Sequence, residues 1–286
     1  MAANMKEIKE RIDSVRNTSQ ITNAMNIVSS TKFKRFQELT LKSRSYSDTL
    51  DIAFDNLVAS LTGKKHVIFD GKPEVERIGI VIMTSDRGLC GSFNTNMLRR
   101  MEEMIKDFKK ENKEVSVITI GKKARDYCKS KNISVDSEYV QLIPETMFEK
   151  AKRISEDIVE FYLNDFYDEV YLLYSKFVSA IEYNVQLEKI LPIEKKEGLP
   201  TQEYIFEPSE DEVLRAFIPK VLNIKLYQAL LESSASEHSA RMGAMRQAND
   251  NADEMIKKLT VQYNRERQGQ ITQELSEIVG GSEALK

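Results

Sequence analysis

Cysteine and histidine are scarce in this 286-residue chain, with two of each. Cys90 and Cys128 lie far apart, and His66 and His238 sit beside no ligand cluster. Neither a zinc site nor a redox motif can be written, so no metal or cofactor is expected, and the low cysteine usage suits a reducing compartment. Charge of one sign is also missing: 42 basic against 45 acidic residues leave a net charge of −3. That balance is wrong for a chain that neutralises phosphates, so nucleic acid is not an expected partner. No run of eighteen apolar residues occurs, which argues against a membrane-spanning helix, and 41% hydrophobic residues argue against disorder. The opening MAANMKEIKER has no apolar stretch and mixes acids with bases, unlike a secretion or transit signal, so a cytosolic address of bacterial type is expected. Only 11 Gly and 6 Pro occur, with the first Pro at Pro73 and the last at Pro219. Both ends of the chain are therefore poor in strong helix breakers.

Those ends carry helical patterns. From Lys6 to about Ser60 apolar or small residues recur in steps of three and four, through Ile8, Ile12, Val15, Met25, Val28 and Phe36, then Leu39, Ser43, Tyr46, Leu50, Ala53 and Leu57. The spacing predicts one long amphipathic helix of roughly 85 Å with a coiled-coil stripe. At the other end Ser209 offers an N-cap, with Glu212 three residues later and further acids in the first turn. Leu214, Phe217, Val221, Leu226, Leu230, Met255, Leu259, Ile271, Leu275 and Ile278 then continue a stripe as far as Gly280-Gly281, about 105 Å of helix bent near Pro219. Residues 233–252 are rich in Ser, Ala and Gly, which permits close approach to the polar part of the first helix.

The middle alternates differently. IGIVIMT at 78–84, VSVITI at 115–120, EVYLLYSKF at 169–177 and NVQLEKILPI at 184–193 read as strands, separated by helical patterns at about 95–110, 122–131 and 147–164. Alternation of this kind predicts a three-layer α/β domain with a largely parallel sheet. The expected division is 1–62 as a first shaft helix, 63–208 as the α/β domain and 209–286 as a second shaft helix packed on the first. Helices leaving the two ends of one domain bury their stripes against each other as an antiparallel pair. Equal rise along both sets Met25 beside Arg241 in the seam and residue 1 near Glu266. Beyond that point Ile271, Leu275 and Ile278 lie on a lone helix, an apolar surface that calls for a surrounding partner.

The strand-to-helix turn Ser85-Asp86-Arg87-Gly88-Leu89-Cys90-Gly91-Ser92 stands where a phosphate loop would, yet has neither a Lys-Ser/Thr after its second Gly nor GxGxxG spacing. A tight packing turn and a small buried thiol at Cys90 are the plainer readings. Lys32, Lys34, Arg35, Lys42 and Arg44 form a basic stretch that is either a solvated face or a contact with an acidic partner. His238 reads as a seam histidine.

Three stretches together are specific. Residues 8–22, IKERIDSVRNTSQIT, followed by Ala24-Met25 and Val28-Ser29, resemble the opening of the gamma subunit of bacterial F-type ATP synthases. SDRGLCGSFN resembles that family's central motif, and ASEHSARMGAM with YNRERQGQITQELSEIVGGSEAL resembles its C-terminal helix and signature. The resemblance implies an antiparallel two-helix coiled coil from both termini plus a central Rossmann-like α/β domain. It also implies a rotor: a shaft inside a hexamer of alpha and beta subunits, a foot on epsilon and a membrane ring of c subunits, and catalysis in beta, so this chain would hold no catalytic residue. Membrane association would be indirect, on the cytoplasmic face. Arg267, Gln268 and Thr272 match positions contacting a loop of beta. Ile271, Glu274, Glu277 and Gly280 belong to the signature, and Arg44, Tyr204 and Glu207 fall near contacts with c or epsilon. Gly243 departs from the larger residue common in such shafts. A coiled-coil adaptor with an α/β head, or a nucleotide-binding enzyme with a helical tether, are the competing readings of the residues alone.

Overall fold

The computed structural model describes residues 2–60, 67–194, 207 and 209–284. Helix α1 spans Ala2–Ser60, a short α2 spans Val67–Asp70, and a last helix, α6, spans Glu210–Ala284. Between them lie β1 (Arg77–Met83), α3 (Phe93–Lys110), β2 (Glu114–Ile120), α4 (Lys122–Ser130), β3 (Val135–Tyr139), α5 (Met147–Leu163), β4 (Glu169–Phe177) and β5 (Tyr183–Leu191). The sheet order is β3-β2-β1-β4-β5, parallel except for β5, which returns antiparallel to β4. This is the expected α/β architecture with long terminal helices. Ser209 caps α6 as its sequence suggested, its Oγ accepting from the Glu212 amide at 3.3 Å. The helix does not stop at Gly280-Gly281 but continues to Ala284.

Two compact units divide the chain: one takes α1 up to Ser29 and α6 from Arg241, and the other runs from Ser30 to Ala240. The division cuts through both long helices, whereas the sequence placed it at 62 and 209. The reason lies in the core of the larger unit. Alternating residues of β1 face opposite ways, as a pleated strand requires. Ile78, Ile80 and Ile82 pack on α3 and α4 through Met97, Met101, Ala124 and Cys128. Val81 and Met83 face a layer made by α5 together with Phe33, Phe36, Phe54 and Val58 of α1 and Leu214, Ile218, Leu222, Leu226 and Leu230 of α6. The long helices therefore bury apolar surface on the sheet as well as on each other, and each such side chain taken out of water contributes about 1.5–3 kcal/mol.

This corrects the seam in the second half of α1. The buried positions there are Phe33, Phe36, Thr40, Ser47, Phe54 and Val58, while Tyr46 is exposed. Three phenylalanines set the face, and the stripe read through Ser43, Tyr46 and Ala53 is rotated away from it. A further strand, β3, went unread because its sequence VDSEY has no apolar run; it is an edge strand with one half-buried face.

One buried charge holds the sheet's lower margin. Asp168, at 2% exposure, accepts from the amides of Glu76 and Arg77 at 3.0 and 2.8 Å, from Lys72 Nζ at 2.8 Å and from Arg77 Nη2 at 3.1 Å. Burial alone would raise its pKa, but Lys72, the two amides and Arg77 outweigh it and hold the carboxyl well below the usual carboxylate range. Its stabilisation is complete above the ordinary value of about 4 and is lost as pH falls through the depressed one. Asp168→Asn should cost about 3 kcal/mol at neutral pH in denaturant unfolding. The gap between variant and parent should narrow on acidification to about pH 3; a gap that is constant with pH would contradict this account.

Candidate functional site

The SDRGLCG turn closes the C-terminal edge of the sheet between β1 and α3. Ser85 N donates to Asn94 Oδ1 at 3.0 Å, Ser85 Oγ donates to the Arg87 carbonyl at 2.6 Å, and Asn94 Nδ2 reaches the Cys90 sulfur at 3.1 Å. Asp86 reaches outward from the turn. Its carboxylate accepts from the Lys122 amide at 3.0 Å and the Gln141 amide at 2.8 Å, while Thr84 Oγ1 accepts from the Ala124 amide at 2.9 Å and the Ser85 carbonyl from Lys123 N at 3.1 Å. The leading amides of α4, where an anion would be expected to sit, are thus taken by the protein's own oxygens. Only glycine fits at Gly121, where φ is +98° and an added Cβ would stand 2.1 Å from the Thr84 carbonyl oxygen. The turn is a packed bracket, as its spacing suggested, and presents Leu89 outward at φ +62°. Both cysteines are buried, and burial pushes the Cys128 thiol up to about 11.

Arg44 has an inward task that the sequence did not suggest. Its Nη2 donates to Glu232 Oε1 at 2.8 Å and to the Phe177 carbonyl at 3.2 Å, and the Glu232 side chain is 5% exposed. A reversed charge at Arg44 would disturb this pair first, so it would not report on contact with c or epsilon. Of the other two residues assigned to that contact, Glu207 is exposed just ahead of α6 and Tyr204 lies outside the described residues. Ser233, Ser236 and Ser239 also depart from expectation. Rather than lining the polar part of α1, their hydroxyls pair with the backbone at Ser175 and Ala180. His238 stacks on Phe36 with ring centroids 5.5 Å apart, a seam histidine as read.

In the smaller unit the helices run antiparallel. Ile8 and Ile12 pack with Leu259, flanked by Val15, Ile256 and Tyr263, and Thr22 Oγ1 hydrogen-bonds Asn249 Oδ1. That register sets Met25 level with Met245 and residue 246, about one and a half turns from Arg241. Ala2 then stands level with residue 269. Past that level Ile271, Leu275, Ile278 and Val279 are 49–69% exposed. Arg267, Gln268 and Thr272 are exposed on the same stretch, with Thr272 Oγ1 bonded back to the Gln268 carbonyl at 2.9 Å. Glu274 and Glu277 accept from Gln270 and Gln273 one turn earlier. Gly243, Gly269 and Gly280 have open space where a Cβ would stand, so no close approach requires glycine there. Among the described residues no helix is long and apolar enough to cross a membrane. A cysteine at Met25 should crosslink to Met245→Cys in preference to Arg241→Cys under mild oxidation of the folded chain; the opposite preference would refute the Thr22–Asn249 register.

The family model described as ATP synthase matches residues 4–285. An ATP synthase gamma chain of Fusobacterium nucleatum is 48% identical over 281 residues, 98% of this chain and 99% of that protein. One from Geobacter metallireducens is 41% identical over 99% of each. In fold, the chain is similar to one in a cryo-EM structure of the Euglena gracilis mitochondrial ATP synthase, OSCP/F1/c-ring, with a TM-score of 0.74 and 20% identity, covering 100% of this chain and 95% of that one. A chain of the Tetrahymena thermophila mitochondrial central stalk and c-ring matches at a TM-score of 0.61 and 24% identity, covering 80% of this chain and 99% of that one. Matched end to end by gamma chains of full length, this chain belongs to the ATP synthase gamma-chain family.

Proposed function

We propose that this chain is the central rotor of an F-type ATP synthase, a subunit without catalytic residues of its own. The observation that carries the reading is the end-to-end match, in both directions, to gamma chains at up to 48% identity. The helix pair occupies the axis of a hexamer of alpha and beta, and the α/β domain stands with epsilon on the ring of c subunits. Ion flow turns ring and rotor, and the rotor's angle drives three beta sites through their conformations. It shifts each site only by the difference in its contact energy between those conformations, so an asymmetric surface suffices. The chain sits peripherally on the cytoplasmic face of the bacterial membrane, held there through the ring.

The exposed end of α6 favours this reading. A stretch carrying Ile271, Leu275, Ile278 and Val279 in the open has the surface of a helix that lives inside a sleeve. Overlapping its start, Arg267, Gln268 and Thr272 form a polar band for a loop of beta, in which a guanidinium makes directional bonds to carboxylates. Glu207, ahead of α6, and Tyr204 belong to the foot, toward c and epsilon.

Coexpression with alpha, beta, epsilon and the membrane subunits including c should yield one complex in fixed ratio from membranes; recovery of this chain alone would sink the rotor reading. A charge-assisted hydrogen bond at the band is worth about 1.5–3 kcal/mol, so Arg267→Ala with Gln268→Ala should slow ATP turnover of the assembled complex about tenfold or more. Removing the chain from Ser282 onward should leave turnover close to parental. Parental turnover in the double variant would show that the band is packing alone.

A further inference from the structure

Within Ser30–Ala240, two kinds of interaction tie the long helices to the α/β layers. Apolar packing is extensive, but it is non-directional and resists separation far better than sliding. Hydrogen bonds resist both, because they weaken steeply when donor and acceptor turn out of line. Two of the polar ties are solvent-facing ion pairs: Arg35 with Glu145, both more than half exposed, and Lys225 with Glu188, each about one-third exposed. Such pairs contribute about 0–1 kcal/mol. Among the described residues, the buried hydrogen bonds from the long helices cluster on one segment, the last three residues of β4 and the turn that follows, with Ser233 Oγ also reaching Met83 Sδ of β1 at 3.8 Å.

The sheet topology explains why. β1 pairs with β4 only as far as Leu173, whereas β5 accompanies β4 on its other side to Phe177. Past Leu173 no strand among the described residues lies beside that edge of β4, and side chains supply the pairing instead. The Ser175 amide donates to Ser233 Oγ at 3.0 Å, and the Ser175 carbonyl accepts from Ser236 Oγ at 3.3 Å. The Phe177 amide donates to Glu232 Oε2 at 3.3 Å, and its carbonyl accepts from Arg44 Nη2 at 3.2 Å. Ser239 adds a bond to the Ala180 carbonyl. The Arg44–Glu232 pair links α1 to α6 in the same cluster, and Gln228 Nε2 completes the carboxylate at 3.0 Å. Glu232, Ser233, Ser236 and Ser175 are all under 7% exposed, so water does not compete for these bonds.

We propose that the free edge of β4 is the torque-bearing joint between the helix pair and the α/β domain, with Arg44, Glu232, Ser233 and Ser236 as its positioning residues. The proposal rests on the rotor reading. A twist of α6 relative to the sheet must shear these aligned bonds, whereas the apolar layer yields by rearranging side chains. Arg44 spreads the load to α1, since its one Nη2 group holds both Glu232 and the strand.

The test uses the assembled complex with the hexamer fixed and the catalytic sites arrested. A probe is attached to the exposed side of α3 through Lys109→Cys, the native Cys90 and Cys128 being buried. The readout is the thermal angular variance of the probe, the inverse of torsional stiffness. Bonds acting in parallel add their stiffness, so Ser233→Ala with Ser236→Ala, which removes two of the four edge bonds, should raise the variance about twofold. Either single replacement should raise it by a smaller step, and Arg44→Lys, which keeps charge and donors, should stay near parental. Arg35→Ala, which removes an exposed tie, should change nothing. Should the serine double variant not assemble, the single variants carry the same comparison. An assembled variant with lowered melting temperature but parental variance would overturn the joint and leave it a purely structural contact. If the parental chain itself fails to assemble with alpha and beta, the rotor reading fails instead.

Discussion

An unpaired strand edge inside a folded protein has to be satisfied or moved into water. Here β4 outruns β1 by several residues, and that overhang is the constraint around which the larger unit is arranged. The overhang requires donors and acceptors at fixed spacing, close to the backbone, on an element that cannot be a strand. Helix α6 provides them with serines at positions one and four residues from Glu232, which lie on adjacent turns of one face. Serine suits the task because its hydroxyl both donates and accepts on a short arm. The small-residue content of this part of α6 therefore has a polar purpose as well as a steric one.

The same arrangement divides labour between apolar and polar contacts. Phe33, Phe36, Phe54 and the leucines of α6 supply the free energy that holds the helices on the sheet. At about 1.5–3 kcal/mol for each buried side chain, they outweigh any single hydrogen bond at about 0.5–1.5 kcal/mol. What the bonds add is one angle and one register. In the smaller unit this balance is reversed in scale: the apolar seam is short, built on Ile8, Ile12 and Leu259, and Thr22–Asn249 lies along a mostly polar and small-sided stretch. A helix pair with so little buried apolar surface gains stability from what surrounds it, which agrees with a partner enclosing it on all sides.

Much of this was legible in the sequence. Ends poor in breakers, with three-and-four spacing, predict two long helices, and apolar runs such as IGIVIMT predict the central strands, because burial on both faces leaves a strong compositional trace. The rotation of the α1 stripe is hidden in the sequence because Tyr46 and Ala53 stand one residue before Ser47 and Phe54 with the same seven-residue step, and polar Thr40 and Ser47 conceal the true face. The extra turn and a half in the helix register was unreadable from a count of equal rise, which assumes where the pairing starts. Of the candidate site residues, those on the α6 end are found through a resemblance to a family signature, and they stand together on exposed turns. Arg44 shows the opposite case. Nothing local distinguishes an arginine that faces a partner from one that reaches a strand more than a hundred residues later, since the partner atoms, Phe177 O and Glu232, are brought together only by the topology.

The end of α6 follows from the same physics. Gly280 and Gly281 lie within its helical span although glycine costs up to about 1 kcal/mol each relative to alanine, and among the described residues no helix opposes the stretch past residue 270. An isolated helix of about this length is marginal in water, and its Gln–Glu pairs one turn apart add only about 0.2–0.5 kcal/mol each. The free energy that makes the stretch a firm axle therefore comes from covering Ile271, Leu275 and Ile278, at about 25 cal/mol for each Å² removed from water. Part of that gain is spent on ordering the helix, and the remainder is nearly insensitive to rotation because apolar contact is non-directional. An axle end with such chemistry is held along its length and free about its axis. In the proposed rotor the sensing of angle is then left to directional groups, Arg267 and Gln268, as the transmission of angle is left to the hydrogen-bonded edge of β4.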